Sequence, residues 1–236
     1  MNFVDLHLHL LPGIDDGAKS LEDSLEMARV LVKLGFTQAA PSPHARDEYA
    51  SGDAALCAEK LKSTQEELSR AGIALTLHTN AENFFLEPTL FPSLSRTIGS
   101  GKVLLVEAPY QGPLPMLGDL IFRMKLKGVT PLIAHPERCF EFEGKTRAAD
   151  AVGQGALLQL DIGSLIGRYG KTAEKLARKF LDAGLYWVAA TDLHSPVGAE
   201  KWLSESLKAL EKAVGAKAAS QLLSERPAKL LSGVVD

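Results

Sequence analysis

Side chains that commonly bind metal ions stand at the ends of apolar runs throughout this chain. His7 and His9 are two residues apart, and Asp192 and His194 repeat that spacing. Two such residues on a strand share one face and lie about 6 to 7 Å apart, so they can bind one ion together. Single candidates end other runs, namely His44, Glu82, Glu107 and His135. Imidazoles and carboxylates without a thiolate favour Mn²⁺, Fe or Zn²⁺ over Ca²⁺, and the pattern predicts a hydrolase with several metal ions.

Two of these candidates are carboxylates that follow residues expected to be buried. Glu82 follows residues 73–81, and Glu107 follows residues 103–106. A buried unpaired charge is costly, and metal coordination removes that cost. Because a carboxylate can bridge two cations, we assign Glu82 the central bridging position. For Glu107, a salt bridge to a Lys or Arg at the rim remains an alternative. His78 would face the same side of a strand as Glu82, but it lies four residues earlier, about 13 Å along the strand. We therefore expect it to stay outside the cluster.

The elements that must position these residues alternate between strand-like and helix-like segments. Seven apolar runs have the character of buried parallel strands: residues 3–10, 36–41, 73–81, 103–108, 130–134, 156–160 and 186–190. The helix-like segments are residues 20–34, 51–71, 114–127, 145–154, 171–183 and 200–214. In the first of these, Ser20 and Asp23 form an N-cap pattern and Gly35 ends the helix. Since candidate ligands follow nearly every strand, the pattern favours a seven-unit (β/α) barrel over an open doubly wound sheet.

Composition narrows the class of protein. The 236 residues, 46% of them hydrophobic, suit one domain over residues 1–236. A net charge of −3 gives no broad basic face, so nucleic acid is not an expected partner. Cys57 and Cys139 lack the spacing of a zinc or redox motif and are expected to be unpaired thiols in a reducing compartment. The first residues do not resemble a signal peptide, and no uncharged run is long enough to span a bilayer, so we expect a cytoplasmic location without membrane insertion.

Several motifs resemble those of a known family. HLHLLPGIDDG at residues 7–17, followed by the helix at Ser20, resembles the opening of the bacterial PHP-type protein-tyrosine phosphatases, the CpsB/CapC-like family. Later stretches resemble the family's other motifs in the same order: NAE at 80–82, VE at 106–107, IAHPER at 133–138, TDLH at 191–194 and RPAKLL at 226–231. The resemblance covers nearly the whole chain.

The resemblance implies a distorted (β/α)7 barrel with three metal ions, usually Mn²⁺. It implies three ligand groups: His7, His9, Glu82 and Asp192; Glu82, Glu107 and His135; and Asp16, His44 and His194. Asp16 enters only through the resemblance, because the residues alone indicate a turn at Asp15-Asp16-Gly17, and Asp15 keeps that interpretation. A metal-activated hydroxide would then hydrolyse phosphotyrosine without a catalytic cysteine, and Arg138 would bind the phosphate as the family arginine. For Arg138, a surface pair with a neighbouring glutamate is the alternative.

One departure from the family concerns an arginine that should follow the final Asp-x-His motif. Here His194 is followed by SPVGAE, and Arg46 and Arg168 are the candidates to replace the missing group. The implied substrate is the tyrosine-rich tail of a bacterial tyrosine kinase that controls capsule or exopolysaccharide production, and an oligomer is compatible with the family. Two alternatives stay open. One is a PHP phosphoesterase for a small monoester such as histidinol phosphate, and the other is a non-catalytic binder of phosphotyrosine tails.

Overall fold

Parallel strands arranged in two sheets form the centre of the molecule. A computed structural model describes residues 2–85, 96–114 and 116–234. The first sheet contains β1 (Phe3–Asp5), β2 (Phe36–Ala39) and β3 (Thr76–Leu77) in that order. The second contains β4 (Glu82–Phe84), β5 (Val103–Glu107), β6 (Thr130–Ala134), β7 (Leu157–Asp161) and β8 (Tyr186–Ala190). Every neighbouring pair is parallel, which confirms the predicted α/β class.

Short backbone contacts join the two sheets beyond the ends of their strands. The amide of Asp192 donates to the carbonyl of His7 at 2.8 Å, and that of His9 donates to Leu193 at 2.9 Å. On the other side, the amide of Ala45 donates to the carbonyl of Glu82 at 2.9 Å. The ring of strands is therefore completed by isolated parallel bridges, without a continuous hydrogen-bonded ladder. The first and last strands are neighbours, as a barrel requires.

The third predicted strand differs from the structure. The run at 73–81 contains only the two-residue strand β3, and the described residues contain an eighth strand, β4, where seven were predicted. Glu82 therefore begins a strand of the second sheet and does not end a strand of the first. The chain crosses between the sheets at residues 78–81, and Asn80 fixes that crossing by donating to the carbonyl of Leu6 at 2.8 Å.

Helices surround the strands; the first six lie at the predicted places, and the seventh was not predicted as a helix. They are α1 (Leu21–Lys33), α2 (Ala54–Arg70), α3 (Leu117–Leu126), α4 (Arg147–Gly153), α5 (Gly170–Asp182), α6 (Ala199–Ser220) and α7 (Arg226–Leu231). The predicted cap of α1 is confirmed, because the hydroxyl of Ser20 accepts from the amide of Asp23 at 3.2 Å. Within the described residues, no helix combines the length and the apolar character needed to cross a membrane.

Strands β5 to β8 are buried nearly throughout on both faces, which explains their continuous apolar runs, whereas β2 and β3 are partly exposed. Within β5, Leu105 faces an inner cluster of buried side chains, whereas Leu104 and Val106 pack towards the helices. The inner cluster includes Leu230 and Leu231 of α7, which lie near the start of β5. This end of the barrel is filled with apolar side chains. Their packing supports the polar residues at the opposite, carboxyl ends of the strands.

Candidate metal centre

The structure brings all nine predicted ligands together: eight lie at or beyond the carboxyl ends of strands, and Glu82 is the first residue of β4. Four overlapping groups each place one ligand atom per residue within 4.8 Å of the others: His9, Asp16, His44 and His194; His7, His9 and Glu82; His7, His135 and Asp192; His44, Glu82 and Glu107. These groups share members with the three implied by the family motifs, although His135 is grouped with His7 and Asp192 and not with Glu107.

Three imidazole nitrogens in this cluster fit metal ions well. Among the residues that the structure describes, His7 Nε2, His9 Nε2 and His44 Nδ1 are buried and have no hydrogen-bond partner. His7 Nε2 lies 3.1 Å from Asp192 Oδ1 and 3.4 Å from Glu82 Oε1. Ligands bound to one ion at about 2.1 Å lie roughly 3 to 3.5 Å from one another. The separations therefore suit donors that surround a cation.

Glu82 has the central position in this arrangement. Its Oε1 lies 3.1 Å from His135 Nε2 and 3.4 Å from His7 Nε2. Its Oε2 lies 2.9 Å from His44 Nδ1 and 3.6 Å from His9 Nε2. The two oxygens of this buried carboxylate thus face two different pairs of imidazoles, the geometry required to bridge two cations.

Side chains that the sequence reasoning missed orient the histidines. Gln159 Oε1 lies 2.8 Å from His7 Nδ1, and Asp15 Oδ2 lies 2.8 Å from His9 Nδ1. Such contacts direct the opposite ring nitrogen towards the cluster. Asp15 also accepts from the amide of Gly17 at 3.0 Å, so it is both the predicted turn residue and a support for His9. The sequence could have indicated Gln159 as a supporting residue, because a single polar side chain within a buried apolar run needs a hydrogen-bond partner.

The negative charge of the cluster raises the pKa values of two of its histidines. Although burial opposes the charged ring, Asp192 and Glu82 raise the pKa of His7 to about 10. Burial likewise opposes the charge on His44, while the neighbouring carboxylates of Asp16 and Glu82 raise its pKa to about 11. In the absence of metal, protons neutralise carboxylates that cations would otherwise neutralise.

In two other site residues the surroundings favour the neutral form. Burial and the neighbouring charge of Glu82 raise the pKa of Glu107 to about 7. Burial and Arg138 lower the pKa of His135 to about 4, so this imidazole is neutral near pH 7 and available as a ligand. The backbone of His135 is also unusual, with φ 31°, and Asp192 has φ 51°. Non-glycine residues in this region are strained, and such strain concentrates at functional sites.

A pocket of about 570 Å³ opens beside the cluster, and both predicted substrate arginines line it. Arg138 Nη1 donates to Asp161 at 3.0 Å and to Asp192 at 2.5 Å, and its guanidinium lies 3.9 Å from the ring centre of Tyr169. Arg46 forms an ion pair with Glu107. Arg138 therefore pairs with aspartates inside the site, and the alternative of a surface pair with a neighbouring glutamate is wrong.

The remaining candidates lie outside the cluster. Arg168 stacks on Trp202 with 4.2 Å between its guanidinium carbon and the ring centre, and it does not line the described part of the pocket. His78 Nε2 lies 2.9 Å from Gln38 Oε1 and belongs to none of the ligand groups, which confirms the expectation for this residue.

Comparisons with known proteins agree with this geometry. Residues 3–232 match the sequence model of a family described as capsular polysaccharide synthesis, CpsB/CapC. Tyrosine-protein phosphatase YwqE of Bacillus subtilis (strain 168) is 30% identical over 218 residues, which are 91% of this chain and 86% of YwqE. Tyrosine-protein phosphatase CpsB of Streptococcus pneumoniae is 24% identical over 241 residues, which cover 97% of this chain and 98% of CpsB.

Solved structures extend the likeness to three dimensions. A crystal structure described as that of YwqE from Bacillus subtilis and CpsB from Streptococcus pneumoniae, metal-dependent tyrosine phosphatases, matches with a TM-score of 0.90 at 29% identity, over 99% of this chain and 96% of that one. The lactonase Lmo2620 from Listeria monocytogenes matches with a TM-score of 0.60 at 13% identity, over 99% of this chain and 95% of that one. The second likeness concerns the fold alone.

Proposed function

Because the chain belongs to the CpsB/CapC family, we propose that it is a metal-dependent protein-tyrosine phosphatase, a phosphoric monoester hydrolase. One observation carries the proposal from the family to this chain. The nine ligand-type side chains meet beside a pocket lined by two arginines, and three of their buried imidazole nitrogens have no other partner among the described residues.

We assign the cluster three metal ions, with Mn²⁺ as the ion expected to support activity. The ligand groups are those implied by the family motifs: His7, His9, Glu82 and Asp192; Glu82, Glu107 and His135; and Asp16, His44 and His194. The contacts of Glu82 with His7 and His9 of the first group and with His135 of the second support its bridging role. The same donors would also suit Fe or Zn²⁺.

Bound cations would supply a water acidic enough to attack phosphorus near neutral pH and would offset the charge of the phosphate. The chain's own residues orient the ester. Arg138 presents its Nη2 to the phosphate, and Asp161 together with the ring of Tyr169 holds the guanidinium in place. Arg46 supplies a second cation at the mouth of the pocket. Its guanidinium lies 4.3 Å from the ring centre of Phe84, and we assign it the role of the missing family arginine.

We further propose that the substrate is the tyrosine-rich tail of a bacterial tyrosine kinase that regulates capsule or exopolysaccharide synthesis. The family description supports this pathway. The rings of Phe84 and Tyr110 in the pocket would suit a phenyl ester. We place the protein in the cytoplasm, and the two buried, unpaired cysteines support a reducing compartment. We treat residues 1–236 as one PHP-type domain.

The test is phosphate release from a phosphotyrosine peptide and from histidinol phosphate in parallel. Protein stripped with a chelator is measured with and without added Mn²⁺. The proposal predicts that manganese restores turnover of the peptide and that the peptide is the better substrate. Turnover confined to histidinol phosphate would favour a small-monoester phosphoesterase. If the loaded protein binds the peptide but hydrolyses neither ester, it is a binding protein and the proposal is wrong.

A further inference from the structure

Tyr110 lies at the junction of the metal cluster and the pocket. Its ring stacks on the imidazole of His135, with centroids 5.4 Å apart and planes 19° apart. Its hydroxyl accepts a hydrogen bond from Arg138 Nη2 at 3.0 Å and lies 3.4 Å from His135 Nε2. The residue lines the pocket and is 42% exposed, so one side of the ring is available to a bound molecule.

The backbone fixes Tyr110 relative to Arg138. The amide of Phe140 donates to the carbonyl of Tyr110 at 3.2 Å, and the thiol of Cys139 donates to the carbonyl of Ala108 at 3.4 Å. Both contacts join the loop after β5 to the turn that carries Arg138. The hydroxyl and the guanidinium are therefore held as one unit at the carboxyl ends of two neighbouring strands.

The hydrogen-bond capacity of the hydroxyl leaves its proton available. A tyrosine hydroxyl donates one hydrogen bond, and here Arg138 already provides the proton that it accepts. The acceptors within reach are His135 Nε2 and the carboxylate of Glu107, and both groups belong to proposed ligands. Once both of these groups face cations, the pocket is the open direction for the proton of Tyr110.

We propose that Tyr110 is a substrate-binding residue whose hydroxyl donates a hydrogen bond to a phosphate oxygen while its ring contacts the aromatic ring of the substrate. The role extends that of Arg138, because Nη1 of the arginine is already engaged by Asp161 and Asp192. Tyr110 adds a neutral donor on the side where Nη2 points. The inference rests on the proposed phosphatase function and names a residue that recognises its substrate.

The test compares Tyr110→Phe, which removes only the hydroxyl, with Tyr110→Leu, which also removes the ring. Each protein is loaded with Mn²⁺, its metal content is measured, and its affinity for inorganic phosphate is determined by calorimetry. A hydrogen bond to a charged group contributes enough that both variants should bind phosphate about 10- to 100-fold more weakly, with unchanged metal content. The KM for a phosphotyrosine peptide should rise in both variants, and further in Tyr110→Leu.

The matched control is Tyr49→Phe, another tyrosine of the pocket, whose ring stacks on His44 and not on His135. Its loss of phosphate affinity should be smaller than that of Tyr110→Phe. Wild-type affinity for phosphate and wild-type KM in Tyr110→Phe would overturn the inference, as would a loss of bound manganese that accounts for the weaker binding. An inactive wild-type protein would instead refute the proposed function, so the two failures are distinguishable.

Discussion

Asp15 offers the sharpest test of how the cluster is oriented. Its buried carboxylate faces His9 Nδ1 at 2.8 Å, so His9 Nε2 is directed towards the proposed ions. In Asp15→Asn the size is conserved, and the amide oxygen can still accept from Gly17. The amide nitrogen would then face His9 and favour the tautomer that carries its proton on Nε2. A protonated nitrogen cannot ligate, so the variant should bind metal weakly without unfolding.

The size of the effect follows from the behaviour of comparable residues. Loss of a group that orients a metal ligand typically costs about 10- to 100-fold in metal affinity, which corresponds to about 1.4 to 2.7 kcal/mol. Stripped wild-type and Asp15→Asn proteins would be titrated with Mn²⁺ in competition with a fluorescent chelator. Asp53→Asn is the matched control, because Asp53 caps α2 through the amides of Ala55 and Leu56 and does not belong to the cluster.

The reasoning would be refuted if Asp15→Asn bound manganese as tightly as the wild type. A parallel thermal denaturation of the stripped proteins separates misfolding from loss of ligand orientation. An affinity loss in Asp53→Asn equal to that in Asp15→Asn would show that the effect is not specific to the contact with His9.

Further predictions concern the pH dependence of metal binding, the packing around Gly17, the binding of substrate and the N-cap of α1. Burial opposes the charge on His9, while Asp15 raises its pKa from 6.5 to about 9, so manganese must displace a proton from this imidazole. The apparent affinity for Mn²⁺ should therefore rise as the pH increases from 6.5 to about 9. Calorimetry in buffers of different ionisation enthalpy should detect the released proton. Gly17→Ala places a Cβ against His9, and denaturant titration should show that the free energy of unfolding falls by about 1 to 3 kcal/mol. Arg46→Ala should raise the KM for a phosphotyrosine peptide about tenfold, measured at equal metal content. Ser20→Ala should reduce unfolding free energy by about 1 kcal/mol in denaturant titration without changing KM.

The sequence predicted strands best where nearly every residue is buried. The predicted bounds of β6 and β8 coincide with those observed, since both strands are short apolar runs ended by a polar residue and preceded by a helix and glycine. The run at 73–81 misled because it contains no glycine or proline to mark a break, whereas the chain leaves one sheet at Leu77 and enters the other at Glu82. That crossing depends on the contact of Asn80 with Leu6, which no local pattern reveals.

Apart from Asp16 and the strand position of Glu82, the ligand types and their positions at strand ends were predictable, because metal-binding side chains stand out beside apolar runs. The contacts that hold the site residues in place could not be predicted from the sequence. Asp161 and Tyr169 reach Arg138 from distant parts of the chain, and only the folded structure brings them together. Asp15 was hidden for a different reason, since an aspartate before Asp16-Gly17 is sufficiently explained as a turn residue.

The most direct test of the account is the dependence of phosphotyrosine hydrolysis on the number of manganese ions bound per chain. Stripped wild-type protein and Glu82→Gln would be loaded stepwise, with metal content and initial rate measured on each sample. The account predicts that activity follows occupancy up to three ions and that Glu82→Gln, which lacks the bridging carboxylate, retains fewer ions and little turnover. Full activity in metal-free wild-type protein, or unchanged activity and metal content in Glu82→Gln, would contradict it.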